Sequence, residues 1–287
     1  MPRSAALSDG KRGALCGLFA AALFGVSAPL SKLLLGSISA QLLAGLLYLG
    51  AGLALSGYGF LQRERREAAL RSSDLPLLTG IVVCGGVLGP LFMLLGLTRV
   101  SAVTGSLLLN LEAPLTMLLA VLLFREHLGR RAALAAGMIV LGAALLKLEF
   151  GTVTVDAGGV LLIALGCACW GLDNNLTQRL STRDPWSIVR VKTLAAGSVN
   201  LVLGLCWGGK LPGLAPLGAA LLLGSLSYGL SVVLDAYALR FVGAAREAAY
   251  FATAPFLGAL LSAPLLGDRL RWLDGAAMFT MGIGVVL

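Results

Sequence analysis

Residues 102–146 read AVTGSLLLNLEAPLTMLLAVLLFREHLGRRAALAAGMIVLGAALL, and residues 244–287 read AAREAAYFATAPFLGALLSAPLLGDRLRWLDGAAMFTMGIGVVL. Both stretches carry Ala-Pro, an apolar run, an acidic residue, a basic patch and a second apolar run that contains glycine. The acid follows the proline by 12 residues in the first copy and by 13 in the second. The back half of the chain therefore repeats the front half, which predicts two structural units, residues 1–150 and residues 151–287.

The composition excludes a soluble domain. Hydrophobic residues make up 58% of the chain and charged residues 13%, and the mean hydropathy is +0.91. Apolar runs near 20 residues, long enough to cross roughly 30 Å of hydrocarbon, recur along the whole sequence. The net charge of +8 resides mainly in the connections between these runs, where it sets membrane topology. No basic patch interleaved with aromatic residues is present. We therefore expect an integral membrane protein whose surroundings are the lipid bilayer and which has no nucleic-acid partner.

Ten apolar segments are predicted to cross the membrane as α-helices, joined by short connections. They are residues 13–34, 38–61, 74–97, 101–123, 130–149, 157–180, 185–207, 214–239, 243–266 and 271–287. Five spans per unit is an odd number, so equivalent helices of the two units run in opposite directions. The predicted fold is all-α, with ten transmembrane helices in two inverted five-helix repeats around a central cavity. Ten spans suffice for one transport pathway, so we expect a monomer.

Lysine and arginine residues predict the orientation. With a cytoplasmic N-terminus, the inner connections hold 13 of them and the outer connections hold 6. The inner set is Arg3, Lys11, Arg12, Arg63, Arg65, Arg66, Arg71, Arg125, Arg130, Arg131, Arg179, Arg183 and Arg240. The outer set is Lys32, Arg99, Lys147, Lys210, Arg269 and Arg271. Basic residues concentrate in cytoplasmic loops, so this asymmetry predicts that both termini are cytoplasmic.

The repeated pattern resembles that of the EamA family of the drug/metabolite transporter superfamily. In the first copy it reads Ala113-Pro114, Phe124-Arg125-Glu126, Gly137 and Gly142; in the second it reads Ala254-Pro255, Leu266-Gly267-Asp268, Gly282 and Gly284. Arg125 departs from the usual glycine of the first turn, and Asp268 departs from the usual glutamate of the second. The chain as a whole also resembles the bacterial aromatic amino acid exporters of this family. The resemblance implies a helical bundle with a central cavity that exports amino acids or similar metabolites across the inner membrane.

Glu112 is the first candidate for a substrate-binding residue, because an ionisable group in the middle of a membrane span is costly. Asn110 precedes it and Pro114 follows it, and the proline removes one backbone donor from the helix. One interpretation is a site for a substrate ammonium group or a proton at a helix break. The other is a protonated glutamic acid that is hydrogen-bonded to a neighbouring helix, and the sequence leaves both open.

Trp170, Asp173, Asn174 and Thr177 follow i, i+3, i+4, i+7 spacing and form a polar and aromatic stripe on the sixth span. When the two units are superposed, the corresponding positions of the first span are Phe24, Ser27, Ala28 and Ser31. We expect the two stripes to face each other across the cavity. The other interpretation places the end of the sixth-span stripe at the cytoplasmic interface.

Aromatic residues complete the expected site. Tyr228, Ser231 and Asp235 repeat the amphipathic pattern in the eighth span, and Arg246, Tyr250 and Thr253 share a face of the ninth. Trp170 and Tyr228 are expected to enclose a substrate side chain. Ser27, Glu112, Asp173 and Asn174 are expected to engage its ammonium and carboxylate groups. The predicted substrate-binding residues are therefore Ser27, Glu112, Trp170, Asp173, Asn174, Tyr228 and Tyr250.

The sequence lacks the common signatures of enzymes and of ATP-driven pumps. His127, the single histidine, lies in a charged turn, and there is no phosphate-binding loop. The five cysteines lie in apolar segments without metal-ligand spacing, so we expect no cofactor and no metal. We predict a secondary transporter that is not an enzyme and that exports amino acids, aromatic and other neutral ones, by alternating access. The alternatives are a transporter of drugs or other small metabolites with the same fold, or a channel.

Overall fold

The structure is a computed structural model of the chain, and it describes residues 9–61, 68–125, 127–147, 155–180, 182–242 and 250–287. These residues form α-helices, in agreement with the predicted all-α class. The helices are α1 (Asp9–Gly25), α2 (Ser27–Leu34), α3 (Ala40–Leu61), α4 (Leu75–Gly80), α5 (Gly89–Leu97), α6 (Ala102–Leu108), α7 (Glu112–Phe124), α8 (Arg130–Lys147), α9 (Ala157–Arg179), α10 (Pro185–Cys206), α11 (Leu214–Gly224), α12 (Ser231–Val242), α13 (Ala254–Leu266) and α14 (Trp272–Val286). The 3-10 segments are Ser72–Asp74 and Leu109–Leu111, and the π-helical segments are Ile81–Leu88 and Ser225–Leu230.

Seven segments of the described residues are long and apolar enough to cross a bilayer. They are Asp9–Leu34, Ala40–Gly59, Ser72–Leu97, Ala102–Phe124, Ala157–Arg179, Pro185–Cys206 and Leu214–Asp235. The other predicted spans correspond to α8, α13 and α14, which have 18, 13 and 15 residues. The charged ends of α8 and the shortness of α13 and α14 distinguish them from an ordinary span of about 20 apolar residues. The chain is therefore a multi-pass membrane protein, while the number of ten spans and their inverted arrangement stay predictions.

Several predicted spans are interrupted rather than continuous. The first span breaks at Val26, between α1 and α2, and the third passes through the π-helical segment Ile81–Leu88. The eighth passes through the second π-helical segment, Ser225–Leu230. A π-helical turn shifts the pattern of backbone hydrogen bonds by one residue and is frequent at functional sites. These interruptions place irregular backbone inside the bundle, where it lies next to other helices.

The two halves of the chain pack into one bundle. The most extensive helix contacts pair α3 with α10, α1 with α12, α5 with α9, and α8 with α14. Each of these pairs joins a helix from residues 1–150 to a helix from residues 151–287. The predicted division between residues 150 and 151 lies outside the described residues, so the two-unit boundary stays a prediction. The arrangement explains why both halves contribute residues to the main apolar cluster and to the smaller one of Leu78, Ile81, Leu180 and Ile188.

Polar contacts between connections define one end of the bundle, which we call the Asp74 end. Arg183, just before α10, donates from Nε (2.8 Å) and from Nη2 (3.2 Å) to the two carboxylate oxygens of Asp74. Such bidentate guanidinium–carboxylate pairs are strong and directional. The guanidinium of Arg179 lies 4.4 Å from the ring centre of Phe124, so α9 and α7 both end here.

The opposite end, which we call the Asp268 end, carries a second set of contacts. The carboxylate of Asp268, between α13 and α14, accepts a hydrogen bond from the backbone nitrogen of Ala102 at 2.8 Å. Arg271 donates from Nη2 to the carbonyl oxygen of Leu146 at 3.3 Å, which ties the start of α14 to the end of α8. The connections therefore sort into two faces on opposite sides of the apolar core.

Helices α7 and α13 end in the same way, each at a residue in the left-handed region. Gly267 has φ of 70° and Arg125 has φ of 56°. Both positions belong to the turn that the two copies of the sequence repeat. Glycine adopts this conformation without the steric cost that a Cβ brings, so Arg125 holds the turn at a cost in stability.

Replacing Arg125 with glycine should therefore stabilise the protein by about 1 kcal/mol, because the left-handed backbone would no longer oppose a Cβ. The half-life of purified protein at a fixed elevated temperature is the measurement. Arg131→Gly is the control, since it makes the same chemical change at an exposed helical position where glycine is unfavourable. A loss of stability in Arg125→Gly would show that contacts of the arginine side chain outweigh the backbone effect.

Candidate functional site

A cavity of about 450 Å³ lies between α1, α7, α8, α9, α12, α13 and α14. Its polar and aromatic lining residues include Phe24, Asn110, Glu112, Asn174, Asp235 and Phe251, and most of the others are apolar. Asn174 lies five residues before the end of α9, and Val285 lies one residue before the end of α14. Because both helices end on that side, the cavity occupies the half of the bundle nearer the Asp74 end.

Glu112 owes its place in the cavity wall to a break in the fourth span. The 3-10 segment Leu109–Leu111 separates α6 from α7, and Glu112 is the first residue of α7. Pro114 lacks the N–H that would otherwise bond to the carbonyl of Asn110, which favours an irregular turn at this point. The predicted helix break before Pro114 is therefore present. In the second copy, Ala252 and Thr253 form a non-helical turn just before Ala254-Pro255.

Glu112 and Asn174 meet in the cavity. The Asn174 side-chain amide donates to Glu112 Oε1 at 2.8 Å, and this bond joins α9 to α7. Thr116, one turn further along α7, donates its hydroxyl to the Glu112 backbone carbonyl at 2.8 Å. The carboxylate thus has a neutral donor on one oxygen and faces the cavity, where it can hold an ammonium group or another cation.

The aromatic wall differs from the predicted one. Phe24 and Phe251 line the cavity with their ring centres 5.3 Å apart. Tyr228 lies behind Phe24, edge to face at 5.7 Å, and Tyr48 packs on Tyr228 at 5.4 Å. Tyr228 is buried and is not among the lining residues. Phe24 and Phe251, rather than Trp170 and Tyr228, are therefore the aromatic rings placed to contact a bound molecule.

Trp170 is instead bound to the π-helical segment of the third span. Its indole nitrogen donates to the carbonyl of Gly85 at 3.0 Å, and the Tyr48 hydroxyl donates to the same carbonyl at 2.8 Å. Asn200 donates its side-chain amide to the next carbonyl, that of Gly86, at 3.1 Å. Pro90 lies four residues after Gly86 and five after Gly85, so neither carbonyl can find its helical N–H donor at that position. Side chains from α3, α9 and α10 therefore bind both carbonyls.

Asp173 forms a buried ion pair with Lys192 of α10. The lysine ammonium donates to Asp173 Oδ2, and the aspartate side chain is 5% exposed. Thr177 donates its hydroxyl to the other carboxylate oxygen at 3.4 Å. The Asp173 carboxylate is directed at α10 and the π-helical segment, and Asp173 does not line the cavity. In this structure Asp173 therefore serves as the charge partner of Lys192, and its predicted contact with a substrate stays a prediction.

The remaining predicted residues lie beside the cavity. Ser27 is fully buried at the start of α2, and Tyr250 is half-buried with its Cβ packed against Gly17 of α1. Neither lines the cavity. Of the two predicted stripes, Phe24 and Asn174 line the cavity, and the other members are not among its lining residues. Arg246, which the sequence pattern places on one face with Tyr250 and Thr253, lies outside the described residues.

The sequence analysis did not identify several residues that line the cavity, nor the lysine that pairs with Asp173. Asn110 stands out in the sequence only as a neighbour of Glu112, and Asp235 only as part of the amphipathic pattern of the eighth span. Phe251 has no distinguishing pattern around it. Lys192 falls near a predicted span boundary, although it carries the charge that balances Asp173. The described residues contain no group of three or more His, Cys, Asp or Glu side chains suited to a metal.

Comparisons with known proteins identify the family. The model of the EamA-like transporter family matches residues 11–148 and again residues 157–287. An uncharacterized transporter of Methanothermobacter thermautotrophicus is 32% identical over 286 residues, which cover 92% of this chain and 82% of that one. An uncharacterized protein of Pseudomonas aeruginosa is 36% identical over 174 residues, covering 60% of this chain and 59% of that protein.

A solved crystal structure has a similar fold. The two structures superpose with a TM-score of 0.66 at 18% sequence identity, and the match covers 96% of each chain. Two family matches that together cover almost the whole chain, and a relative of 32% identity, establish the family. The chain belongs to the EamA-like transporter family, and it is a multi-pass membrane transporter of small molecules.

Proposed function

We propose that this transporter exports amino acids, aromatic and other neutral ones, by alternating access. The observation that carries the proposal is the meeting of Glu112 and Asn174 in a cavity whose wall also holds Phe24 and Phe251. A carboxylate and an amide suit the ammonium and carboxylate groups of an amino acid, and the two phenylalanine rings suit an apolar or aromatic side chain. The volume of about 450 Å³ lies in the range of small-molecule sites.

The charge of the cavity favours organic cations as the second candidate class. Its described lining residues include two carboxylates, Glu112 and Asp235, and no lysine or arginine. An amine without a carboxylate would bring no negative charge into such a site. A zwitterion would rely on the amides of Asn110 and Asn174 for its carboxylate.

We propose the bacterial inner membrane as the location, with both termini in the cytoplasm. This orientation rests on the excess of lysine and arginine in the connections predicted to be cytoplasmic. It places the Asp74 end on the cytoplasmic side, where the cavity would receive a substrate for export. A single chain would be the transporting unit, with the lipid bilayer as its surroundings.

The first experiment is uptake of radiolabelled L-phenylalanine by proteoliposomes that contain the purified protein. The competitors are the other amino acids, phenylalaninamide, phenylethylamine and a lipophilic cation. Saturable uptake that amino acids block more strongly than the amide or the amine supports an amino acid transporter. Uptake blocked only by the amine and the lipophilic cation would indicate that the protein transports organic cations. Non-saturating flux would indicate a channel and contradict alternating access.

Glu112→Gln should lower uptake of the transported substrate at least roughly tenfold, which corresponds to about 1.4 kcal/mol of lost binding or transition-state stabilisation. The glutamine keeps the size of the side chain and can still bond to Asn174, but it removes the charge that an ammonium group would meet. Initial rates measured across substrate concentrations give the change. Asp9→Asn is the control, because it removes an exposed carboxylate at the start of α1. Unchanged rates in Glu112→Gln would exclude Glu112 as the group that binds the ammonium.

A further inference from the structure

The carboxylate of Asp268 joins the second half of the chain to the start of the fourth span. It accepts hydrogen bonds from the backbone nitrogens of Ala102 (2.8 Å) and Val103 (3.2 Å). Ser101 accepts the next backbone donor, that of Thr104, at 3.1 Å. The first donors of α6 are thereby satisfied, two of them by a residue 165 and 166 positions away. Because ordinary capping residues lie beside the helix that they cap, this contact between distant elements is unusual.

A tightly packed layer separates this contact from the cavity. Ala102 begins α6 at the Asp268 end, Ser106 follows one turn later, and Asn110 lines the cavity after one further turn. At the level of Ser106, a Cβ added to Gly258 of α13 would lie 2.9 Å from the serine hydroxyl and 2.6 Å from the carbonyl oxygen of Gly25. Helices α1, α6 and α13 are therefore in close contact here, and Ser106 is 1% exposed. This close contact therefore lies between the cavity and the Asp268 end.

Other contacts at this end bind different elements. The Lys32 ammonium donates to the carbonyls of Leu97 and Val100, and so joins the end of α2 to the connection between α5 and α6. Both elements belong to the first half of the chain. Arg271 and its neighbour Asp274 join α14 to the end of α8. Among these contacts, that of Asp268 is the one that holds α6 to the connection that follows α13.

We propose that Asp268 is the latch that closes the Asp268 end, and that its release from α6 opens the cavity to that side. The inference rests on the alternating access of the proposed function, since a transporter of this kind must close one end before the other opens. Separating α13 from α6 would remove Gly258 from Ser106 and expose the serine. The Asp268 carboxylate then has to leave the Ala102 and Val103 nitrogens, so the contact favours the closed state and contributes nothing to the open one.

The loss of this contact should change the balance between the two states by a measurable factor. Hydrogen bonds from backbone N–H groups to a carboxylate are stronger than neutral ones. Asp268→Asn keeps the shape but removes the charge, and we expect the open population to rise roughly tenfold, the factor equivalent to about 1.4 kcal/mol. Asp268→Glu keeps the charge on a longer side chain and should remain close to the parent protein.

The test uses Ser106→Cys as a reporter in the full chain with the five native cysteines, Cys16, Cys84, Cys167, Cys169 and Cys206, replaced by alanine. A membrane-impermeant maleimide is applied to intact cells and to inverted vesicles. Lys210→Cys, at an exposed position in the connection between α10 and α11, identifies the membrane side that the Asp268 end faces. We expect the reporter to react about tenfold faster from that side in Asp268→Asn, with Asp268→Glu close to the parent rate.

Asp156→Asn is the matched control, because Asp156 lies at the same end and caps its own helix through the nitrogen of Gly159. Its other contact is an exposed ion pair with Arg99 at 4.0 Å, which does not involve the backbone nitrogens of α6. If Asp156→Asn accelerates labelling of the reporter as much as Asp268→Asn does, or if Asp268→Asn does not accelerate it, the proposed role of Asp268 is wrong. A monodisperse gel-filtration profile separates opening from unfolding, and if Asp268→Asn fails it, Val103→Pro takes its place, with Asp268→Glu kept as the comparison. The proline removes one of the two donors while the carboxylate stays, and it should accelerate labelling if the latch is real. The readout does not use a substrate, so absent amino acid flux would contradict the proposed function without affecting this result.

Discussion

Lys192→Met should destabilise the protein by about 3–5 kcal/mol, the range for removing one partner of a buried ion pair. The methionine is apolar and similar in length, so the main change is the loss of the ammonium that binds Asp173. The aspartate side chain is 5% exposed and retains a long hydrogen bond from Thr177 as its remaining described partner. An uncompensated carboxylate among membrane helices is costly because neither water nor a cation replaces the lost partner. The half-life of the purified protein at a fixed temperature is the measurement.

Two further variants make this prediction specific to the pair. In the double variant Asp173→Asn/Lys192→Met both charges are absent, and most of the lost stability should return. Arg190→Met removes a basic residue two positions earlier on α10 that has no acidic partner among the described residues, and its effect should be small. If the double variant is no more stable than Lys192→Met, the lysine acts through packing rather than through charge.

Gly224→Ala should cost about 3 kcal/mol or more, at or above the upper end of the usual range for overpacking. A Cβ at Gly224 would lie 2.0 Å from the carbonyl oxygen of Leu47, which is backbone and cannot rotate away. The partner surface is equally close: a Cβ at Gly50 would lie 2.2 Å from the carbonyl oxygen of Leu221. The two glycines allow α3 and α11 to approach at backbone distance, as small residues do between membrane helices. The added methyl group would force these helices apart.

Gly218→Ala provides the comparison on the same helix, because a Cβ there would meet no atom within 4 Å. Alanine is a better helix former than glycine, so this variant should be neutral or more stable by about 0.5–1 kcal/mol. The two substitutions are chemically identical, and any difference between them reports the packing of α11 against α3. Equal stability of the two variants, measured by thermal inactivation of the purified protein, would show that the bundle relaxes easily at this crossing.

The candidate site is only partly predictable from sequence. The sequence indicates Glu112 because a carboxylate in a membrane span is rare, and it indicates Asn174 because of the stripe on the sixth span. The same stripe also contains Trp170 and Asp173, which are directed at α10 and the π-helical segment. Adjacent residues of a helix, such as Asp173 and Asn174, point in directions that differ by about 100°. The sequence pattern therefore does not show which residue of the stripe faces the cavity.

The sequence shows that some backbone groups need hydrogen-bond partners, but only the fold shows which residues are those partners. Pro90, after Gly85 and Gly86, marks two carbonyls that need donors from other helices, and Tyr48, Trp170 and Asn200 supply them. Which residues supply them depends on how α3, α9 and α10 are rotated about their axes. The partner of Asp268 is hidden for a similar reason, because the backbone nitrogens at the start of α6 carry no side-chain signature.

Hydropathy and motif spacing alone establish that the chain crosses the membrane, that its two halves are related and that the fourth span contains a proline-marked break. These are local properties, because hydropathy, helical period and backbone donors follow from residues that are close along the chain. The pairing of Asp173 with Lys192, the capping of α6 by Asp268 and the meeting of Phe24 with Phe251 emerge only in the packed bundle. These contacts join distant residues, and they depend on helix rotations and crossing distances that are fixed when the whole bundle packs.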